Sequence, residues 1–157
     1  KHYKFLSGDA ELVELVYDSP LLQEEFSKLL SRNLERDRIL ERTTSGIHKD
    51  ELSFTIHGMP LKKFGSQGQQ KSFLISLKLA QYTFLYQQKG FEPLLLLDDI
   101  FDKLDNERTT KLMKMVSDKD FGQIFITDTS RKRIETIFHD LEIPVAIFEV
   151  DKGKIKA

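Results

Sequence analysis

A continuous run of four leucines at 94–97 ends in the acidic pair Asp98-Asp99, and it constrains the fold more than any other feature of the sequence. A short apolar run of this kind is typical of a buried strand in a parallel sheet. A second apolar stretch, 123–127, follows after a helical segment, at the distance expected of a crossover connection. Strands that alternate with helices predict an α/β fold with a largely parallel sheet flanked by helices.

The remaining predicted elements follow from the spacing of apolar residues, with a period of two for strands and about 3.6 for helices. Prolines, glycines and capping residues set the expected ends of these elements. The predicted strands lie within 10–18, within 43–57, at 61–64 and, as the last strand, at 145–150. The predicted helices cover about 20–40, beginning at Ser19-Pro20, then 69–88, then Asp105 to about 117, and a final helix begins after 129–130.

Composition excludes several classes of protein. The 157 residues contain no cysteine, which rules out a disulfide framework and a zinc site with cysteine ligands. No apolar stretch reaches the ~18 residues of a membrane span, so we expect no membrane partner. A formal net charge of -1 argues against a uniformly basic DNA-binding surface. Because the chain opens on Lys1 in charged sequence, we expect a fragment of a longer protein.

Two local clusters of basic residues are candidates for contact with DNA phosphates. Lys62 and Lys63 precede a glycine-rich loop, and 131–133 is a basic triplet at a predicted helix start. For both clusters a solvated turn is the favoured interpretation, because charged side chains at turns usually face water.

The acidic pair is the main candidate for chemistry. The ligand crevice of an open α/β sheet lies outside the carboxyl ends of its strands, where Asp98 and Asp99 are expected. There Asp98 can hold the Mg²⁺ of a bound nucleotide, directly or through water, and Asp99 can orient or deprotonate the attacking water. These residues alone leave an alternative open, in which both acids only cap the following turn.

The segment FGSQGQQKS at 64–72 raises a second question, because Lys71-Ser72 stand where a phosphate-binding P-loop has its lysine and hydroxyl. The P-loop pattern G-x-x-x-x-G-K-[ST] requires a glycine directly before the lysine, and position 70 is glutamine. No complete P-loop pattern occurs anywhere in the chain. We therefore expect the isolated chain to bind ATP poorly and to show no ATPase activity.

Three segments in this order resemble the RecF family of DNA replication and repair proteins, which have ABC-type ATPase heads. They are GIHKDEL at 46–52, FGSQGQQKS at 64–72 and LLLLDDIFDKLD at 94–105, within a resemblance that covers roughly residues 12–130. It implies the end of a helical arm and a connecting strand over 1–42. It also implies the C-terminal lobe of an ABC-type ATPase head over 43–157.

The resemblance identifies GSQGQ with the ABC signature loop, which in the family meets the γ-phosphate of ATP bound to the opposite subunit. Small residues and the start of the following helix suit an anion. The site residues that the resemblance implies are Ser66, Gln67, Gly68 and Gln69 in the signature loop, Asp98 for Mg²⁺, Asp99 as catalytic base, Asp105 in the D-loop, and Thr127 and Asp128 at the switch position. His48 is a further candidate without an assigned role, with a hydrogen bond inside the lobe as the alternative.

Three residues depart from the common ABC pattern. Gln67 replaces the first glycine of the signature loop. Asp99 stands where many ABC proteins have glutamate, which is one methylene longer, and this difference is consistent with slow hydrolysis. Asp128 stands where a histidine is common, and an ionised carboxylate cannot donate a hydrogen bond to the γ-phosphate. Thr127 or Thr129 can take over that role.

The resemblance also implies a function for the full-length protein, in the bacterial cytoplasm. There ATP and Mg²⁺ would close a homodimer on DNA near single-strand/double-strand junctions, in recombinational repair, replication and the SOS response, with RecR and RecO as protein partners. Hydrolysis would occur only in the full-length dimer. Two other hypotheses stay open: half of the head of another SMC- or ABC-like ATPase in a protein complex, and an interaction module that uses no nucleotide.

Overall fold

The structure is a computed structural model that describes residues 1–8, 11–101, 104–117 and 121–156. The chain divides into two compact units, one of Lys1–Gly8 with Gln67–Ala157 and the other of Asp9–Ser66. The predicted boundary between arm and head, after residue 42, falls inside the second unit, and the functional division of the chain stays a prediction.

Helices and strands are mixed along the chain. The α-helices are α1 (His2–Ser7), α2 (Phe26–Leu40), α3 (Leu61–Phe64), α4 (Gln67–Lys89), α5 (Asn106–Val116) and α6 (Arg131–Asp140), with short 3₁₀ helices at Pro20–Leu22 and Ile47–Lys49. The strands are β1 (Val13–Asp18), β2 (Glu51–Ile56), β3 (Met59–Pro60), β4 (Leu95–Leu97), β5 (Ile124–Ile126), β6 (Val150–Asp151) and β7 (Lys154–Ile155).

The first unit is built around β4 and β5, which pair in parallel with Leu96 opposite Phe125. Helices α1, α4, α5 and α6 contribute side chains to a core on one face of this pair. Leu79, Leu112 and Met113 are completely buried there, and each such side chain contributes about 1.5–3 kcal/mol of hydrophobic stabilisation. The predicted α/β fold and the parallel pairing of these two strands are confirmed.

The opposite face of β4 and β5 is exposed. Leu95 and Leu97 point into the core, whereas Leu96 is 70% exposed and its partner Phe125 is 48% exposed. Within the described residues, this sheet consists of β4 and β5 alone. The leucine run is therefore buried on one face only, and the expectation of a fully buried strand over 94–97 is wrong for Leu96 and for Leu94, which is 63% exposed and precedes β4.

The second unit contains an antiparallel sheet in the order β1-β2-β3. The turn between β2 and β3 has positive φ angles at His57 (48°) and Gly58 (74°), as in the two-residue hairpin turns that match strand twist. The expected second strand at 61–64 is wrong, since Leu61–Phe64 is a short helix. Pro60 has no N–H to donate, so it is poorly suited to continue the ladder.

Two further predictions need correction in their bounds. Ser19 does cap a helix, since its hydroxyl accepts from the Leu21 N–H at 3.2 Å, but that helix is the 3₁₀ turn Pro20–Leu22 and α2 begins later, at Phe26. The extended backbone of Glu25 separates the two helices. The last strand does not extend over 145–150. Pairing occurs locally in the hairpin of β6 and β7, whose turn at Lys152-Gly153 again has positive φ angles.

None of the described helices is both long and apolar enough to cross a membrane.

Candidate nucleotide-contacting site at the ends of β4 and β5

Parallel pairing brings the polar residues that follow β4 and β5 to the same edge of the sheet. The Thr127 hydroxyl donates to the Asp98 carboxylate at 2.5 Å and accepts from the Asp99 N–H at 3.1 Å. The Thr127 N–H donates to the carbonyl of Leu97 at 3.0 Å, which continues the strand pairing. Three of the predicted site residues, Asp98, Asp99 and Thr127, therefore form one hydrogen-bonded group, which we call the acidic edge.

Asp99 has an unusual backbone conformation. Its φ angle is 45°, in the left-handed region that is uncommon for residues with a side chain, although aspartate and asparagine adopt it more readily than others. Both of its backbone polar groups are engaged, because the N–H donates to Thr127 and the carbonyl accepts from the Lys71 ammonium at 3.0 Å. The surrounding residues thus hold the turn that sets the direction of the Asp99 side chain.

Lys71 and Ser72 do not form a P-loop. The Lys71 ammonium contacts the Asp99 carbonyl, and Ser72 is completely buried. The Ser72 hydroxyl accepts from the Arg108 guanidinium at 3.4 Å, and its carbonyl accepts from the Ser76 hydroxyl at 2.8 Å. A buried hydroxyl that faces α5 does not have the exposure that a nucleotide-bound Mg²⁺ requires, so both residues connect α4 with its neighbours.

The signature loop lies at the start of α4. This helix begins at Gln67, two residues earlier than predicted, so that Gln67, Gly68 and Gln69 form its first turn directly after Ser66. Ser66 and Gln67 are exposed, and Gly68 and Gln69 are partly buried. The first N–H groups of a helix have no partner within the helix, which makes such a start suitable for an anion. The contact with ATP of an opposite subunit stays a prediction.

Asp105 caps α5, as its position in the sequence indicates. One carboxylate oxygen accepts from the Arg108 N–H at 2.8 Å, and the other lies 3.6 Å from Nε of the same residue. The preceding residues of the FDKLD segment, 102 and 103, lie outside the described part of the chain. The assignment of Asp105 to the D-loop of a nucleotide site stays a prediction.

The carboxylate of Asp128 accepts hydrogen bonds from groups at the start of α6. It accepts from the Ser130 N–H at 2.5 Å and from the Arg133 guanidinium at 2.6 Å, and the side chain is only 1% exposed. Asp128 is therefore not part of the acidic edge, whereas the preceding residue, Thr127, is. Arg133 also lies 5.9 Å from the ring centre of the buried Phe101, close enough for a cation–π contact with the turn after Asp99.

The basic triplet at 131–133 is largely paired with acids. Arg131 contacts Glu135 at 2.7 Å and Glu149 at 3.5 Å, and the hydrogen bond with Glu135 raises the pKa of its guanidinium. Arg133 is bound to Asp128. Neither arginine presents an uncompensated charge, which weakens the case for this triplet as a DNA-binding patch.

His48 takes part in the local structure of the second unit. Its Nε2 atom lies 3.1 Å from the carbonyl oxygen and 3.3 Å from the hydroxyl of Thr43. Gly46 has a φ angle of 129°, and a Cβ atom there would come within 3.2 Å of the His48 ring. The geometry agrees with the interpretation of His48 as a hydrogen-bonded histidine, and it explains why glycine suits position 46.

Asp50 connects the same motif to β1. The Tyr17 hydroxyl donates a short hydrogen bond to its carboxylate. Hydrogen bonds from Ser19 and Tyr17 lower the pKa of Asp50, and the bond to Asp50 raises the pKa of Tyr17. His48 and Asp50 of the GIHKDEL motif thus both make hydrogen-bonding contacts within this unit.

The acidic edge fits a magnesium ion that keeps most of its water. Among the described residues there is no group of three or more metal-ligating side chains. Mg²⁺ commonly binds proteins through one or two carboxylates, with water and phosphate oxygens as its other ligands. Asp98 and Asp99, with the Thr127 hydroxyl beside them, supply hard oxygen donors of this kind.

The relatives of the chain indicate its family. No family model matches it. The DNA replication and repair protein RecF of Flavobacterium johnsoniae is 52% identical over 149 residues, which cover 95% of this chain and 42% of that protein. RecF of Parabacteroides distasonis is 48% identical over 156 residues, covering 99% of this chain and 43% of that protein. Over almost its full length, the chain matches part of a RecF protein. It spans only about two fifths of the length of these relatives.

Solved RecF structures support the same conclusion. The structure of the recombination mediator protein RecF-ATPrS in the RecFOR pathway matches this chain with a TM-score of 0.70 and 26% sequence identity. The match covers 98% of this chain and 42% of that chain. A RecF-ATP structure of the same pathway has a TM-score of 0.69 at 24% identity and shows the fold. The predicted α/β fold is confirmed, and it is the fold of part of these RecF structures.

Sequence reasoning missed three residues that hold the acidic edge and its neighbours. They are Lys71, Arg108 and Arg133. Lys71 was considered only as a P-loop lysine, and Arg133 only as part of a basic triplet. The sequence does contain a signal for Arg133. Asp128 lies five residues before it, on the other side of the helix cap Ser130, and an acid at this distance can reach the arginine. Nothing in the sequence indicates that Lys71 contacts a backbone carbonyl 28 residues away.

Proposed function

We propose that this chain is the C-terminal lobe of a RecF-type ATPase head within a longer protein, here called the full-length protein. In it, ATP and Mg²⁺ close a homodimer on DNA near single-strand/double-strand junctions during recombinational repair and replication. The observation that carries the proposal is the acidic edge, in which Thr127 links Asp98 and Asp99 at the ends of two parallel strands, in a chain that matches part of a RecF protein.

The acidic edge supports separate roles for its two acids. Asp98 accepts from Thr127 through one oxygen, which leaves the carboxylate able to hold Mg²⁺ through the other oxygen or through water. The bound ion would neutralise charge on the phosphates. Asp99, held in its left-handed turn, would orient the attacking water and accept its proton. Thr127 keeps the two strand ends together while these groups act.

The chain supplies only part of a nucleotide site. It has no P-loop, and Lys71 and Ser72, the residues closest to that pattern, are bound to Asp99 and Arg108. The signature loop would therefore serve ATP held by the opposite subunit, through the start of α4 at Ser66, Gln67, Gly68 and Gln69. ATPase activity would require the full-length dimer.

The exposed face of β4 and β5 supports a longer working protein. Leu96 and Phe125 are neighbours in register on the side opposite the core. Exposed apolar side chains that adjoin in this way mark surfaces that pack against another element. The part of the RecF relatives that this chain does not match is a natural source of that element.

Partners follow from the family. We expect DNA, a second copy of the full-length protein, and RecR and RecO, all in the bacterial cytoplasm. Lys62 and Lys63 on α3 are exposed, and we keep them as candidates for phosphate contact.

Binding of the full-length protein to gapped duplex DNA, measured with and without ATP, tests this function. We expect affinity to be about 5- to 150-fold higher with ATP, the range of ordinary coupling between two sites. Asp98→Asn should remove the difference, and Lys78→Met, an exposed change on α4, should keep it. Equal affinity in both conditions would favour the nucleotide-free interaction module. ATP-dependent dimerisation without DNA binding would favour another SMC- or ABC-like head.

A further inference from the structure

Lys71 connects the helix of the signature loop with the turn that carries Asp99. It lies in the second turn of α4, two residues beyond Gln69, and its half-buried side chain reaches the Asp99 carbonyl at 3.0 Å. From the other side, the Asp99 N–H is bound to the Thr127 hydroxyl at the end of β5. The backbone of Asp99 is thus held by two separate elements.

A second contact from the same part of α4 reaches the start of α5. The buried Ser72 hydroxyl accepts from Arg108, whose N–H and guanidinium also contact the cap residue Asp105. Adjacent residues of α4 therefore contact the turn after β4 and the helix that follows it. Through these two contacts, the start of α4 helps to hold the turn that carries Asp99 and the start of α5 in place.

We propose that Lys71 is a positioning residue for Asp99, and that it sets the direction of the Asp99 carboxylate by holding the preceding helix and the Asp99 carbonyl together. The proposal rests on the proposed ATPase function and extends it to a residue outside the reacting groups. Lysine suits this task, because its ammonium is a compact charge with three rotatable donors on a flexible stem.

The physical reason lies in the left-handed conformation of Asp99. A residue with φ near 45° directs its side chain differently from a residue in an extended or right-handed conformation, and contacts to both its N–H and its carbonyl favour this one conformation. Hydrogen bonds to a charged donor are the stronger ones, so loss of the Lys71 ammonium removes a main restraint. A displacement of about 1 Å at a reacting group can lower a rate by roughly 100-fold.

The arrangement also gives one subunit a direct connection between its two functions. The start of α4 would meet ATP of the opposite subunit, and Lys71 on the same helix holds the base for the subunit's own ATP. Binding at the signature loop therefore acts on an element that contacts Asp99. Such coupling requires no conformational change in any other element.

The first test compares Lys71→Met, Lys71→Arg and Lys78→Met in the full-length protein. Lys78 is an exposed lysine on the same helix and serves as the matched control. We expect Lys71→Met to lower kcat by about 10- to 100-fold with KM changed less than about twofold, since positioning affects the chemical step. Lys71→Arg should restore part of the rate, because a guanidinium can also donate to the carbonyl. Lys78→Met should keep the parental rate.

The second test needs no ATPase activity and so separates this proposal from the proposed function. Amide hydrogen exchange at Asp99 is measured in the ATP-free full-length protein, where we expect protection in the parent and exchange about 10-fold faster in Lys71→Met. Lys78→Met should exchange as the parent does. If the parent hydrolyses no ATP, the proposed function fails while the exchange result still tests Lys71.

Three results would overturn the proposal. An Asp99 amide that exchanges in the parent at the rate of an unfolded chain would show that the turn is not held, whatever the variants do. Parental kcat and parental exchange in Lys71→Met would show that the contact is dispensable. A raised KM with unchanged kcat would assign Lys71 to nucleotide binding. If Lys71→Met does not fold, Lys71→Gln is measured with the same expectations.

Discussion

Thr127 donates its hydroxyl hydrogen to the carboxylate of Asp98 at 2.5 Å, so that the end of β5 is bound to the end of β4. The same oxygen accepts from the backbone of the next acid. A single hydroxyl group thus fixes the relation between two consecutive acids, for which the family resemblance implies different tasks. A short polar residue at the end of β5 therefore contacts both acids at the end of β4.

Replacement of Thr127 by valine keeps the shape of the side chain and removes both hydrogen bonds. We expect Thr127→Val to lower kcat of the full-length protein by about 10-fold or more, because Asp98 and Asp99 lose their common partner. The isolated chain should lose about 1 kcal/mol of unfolding free energy in denaturant titration. Thr127→Ser keeps the hydroxyl and is the matched control. A valine variant with parental kcat would remove Thr127 from the site.

The isolated 157-residue chain should hydrolyse no ATP. It lacks the P-loop that holds the β- and γ-phosphates, and the acidic edge supplies at most the ligands for a magnesium ion. Phosphate release by the purified chain, with and without Mg²⁺, is the measurement. Activity that survives further purification and disappears in Asp98→Asn would contradict the proposal that this chain needs the rest of a RecF-type protein.

Asp99→Asn should separate chemistry from binding in the full-length protein. Because the amide is similar in size but cannot accept a proton, we expect hydrolysis to slow by about 100-fold or more with ATP affinity nearly unchanged. The closed dimer should then persist in sedimentation experiments with ATP. Asp98→Asn is the comparison, and it should weaken Mg²⁺-dependent binding. Hydrolysis at the parental rate in Asp99→Asn would mean that another group is the base.

The contact of Tyr17 with Asp50 should limit stability at both ends of the pH range. Hydrogen bonds from Ser19 and then Tyr17 lower the pKa of Asp50, so the folded state releases this proton more readily, and the stabilisation is lost as pH falls through the carboxyl range. The raised pKa of Tyr17 means that the folded state keeps the phenol proton, so its contribution is lost as pH rises through the tyrosine range.

Unfolding free energies of the parent, Asp50→Asn and Tyr17→Phe across pH provide the measurement. Asp50→Asn should flatten the acidic side and lower the pKa of Tyr17 towards its ordinary value, which tyrosinate absorbance reports. Tyr17→Phe should flatten the alkaline side. Identical pH profiles for the three proteins would show that the hydrogen bond does not persist in solution.

The parts of the fold that sequence predicted well are those with local causes. The leucine run and the stretch 123–127 contain the paired parallel strands β4 and β5. The side chains of Asp105 and Ser130 cap α5 and α6, because each accepts a hydrogen bond from the N–H of the residue three positions later. Each of these features depends on neighbouring residues, for which the sequence contains the necessary information.

The failures have longer-range causes. An apolar run usually lies between two layers and so predicts a buried Leu96, yet among the described residues no element covers this side chain, which is 70% exposed. The apolar residues at 145–150 predict a strand, but 145–149 have no strand partner among the described residues, and only Val150 and Asp151 pair, within the hairpin of β6 and β7. Lys71 and Thr127 reach backbone and side-chain atoms 28 or 29 residues away, and no spacing rule indicates such contacts.

Ser66→Arg tests whether the signature loop serves the opposite subunit. Ser66 is exposed and directly precedes α4, so arginine there is compatible with the fold of one chain. Its bulk and charge would occupy the space in which the helix start meets a γ-phosphate. We expect nearly parental ATP affinity for the monomer and loss of ATP-driven dimerisation, measured by nucleotide titration and by sedimentation. Ser66→Ala adds no bulk and should dimerise.

Mixing Ser66→Arg with Asp98→Asn sharpens this test. In a mixed dimer, the site that uses Asp98 of the arginine variant receives an unchanged Ser66 from the other subunit, and the second site carries both changes. One intact composite site should therefore return up to about half of the parental activity per dimer, whereas each variant alone stays inactive. If Ser66→Arg instead weakens ATP binding to the monomer while dimerisation per bound ATP is unchanged, the loop serves its own subunit and the trans arrangement is wrong.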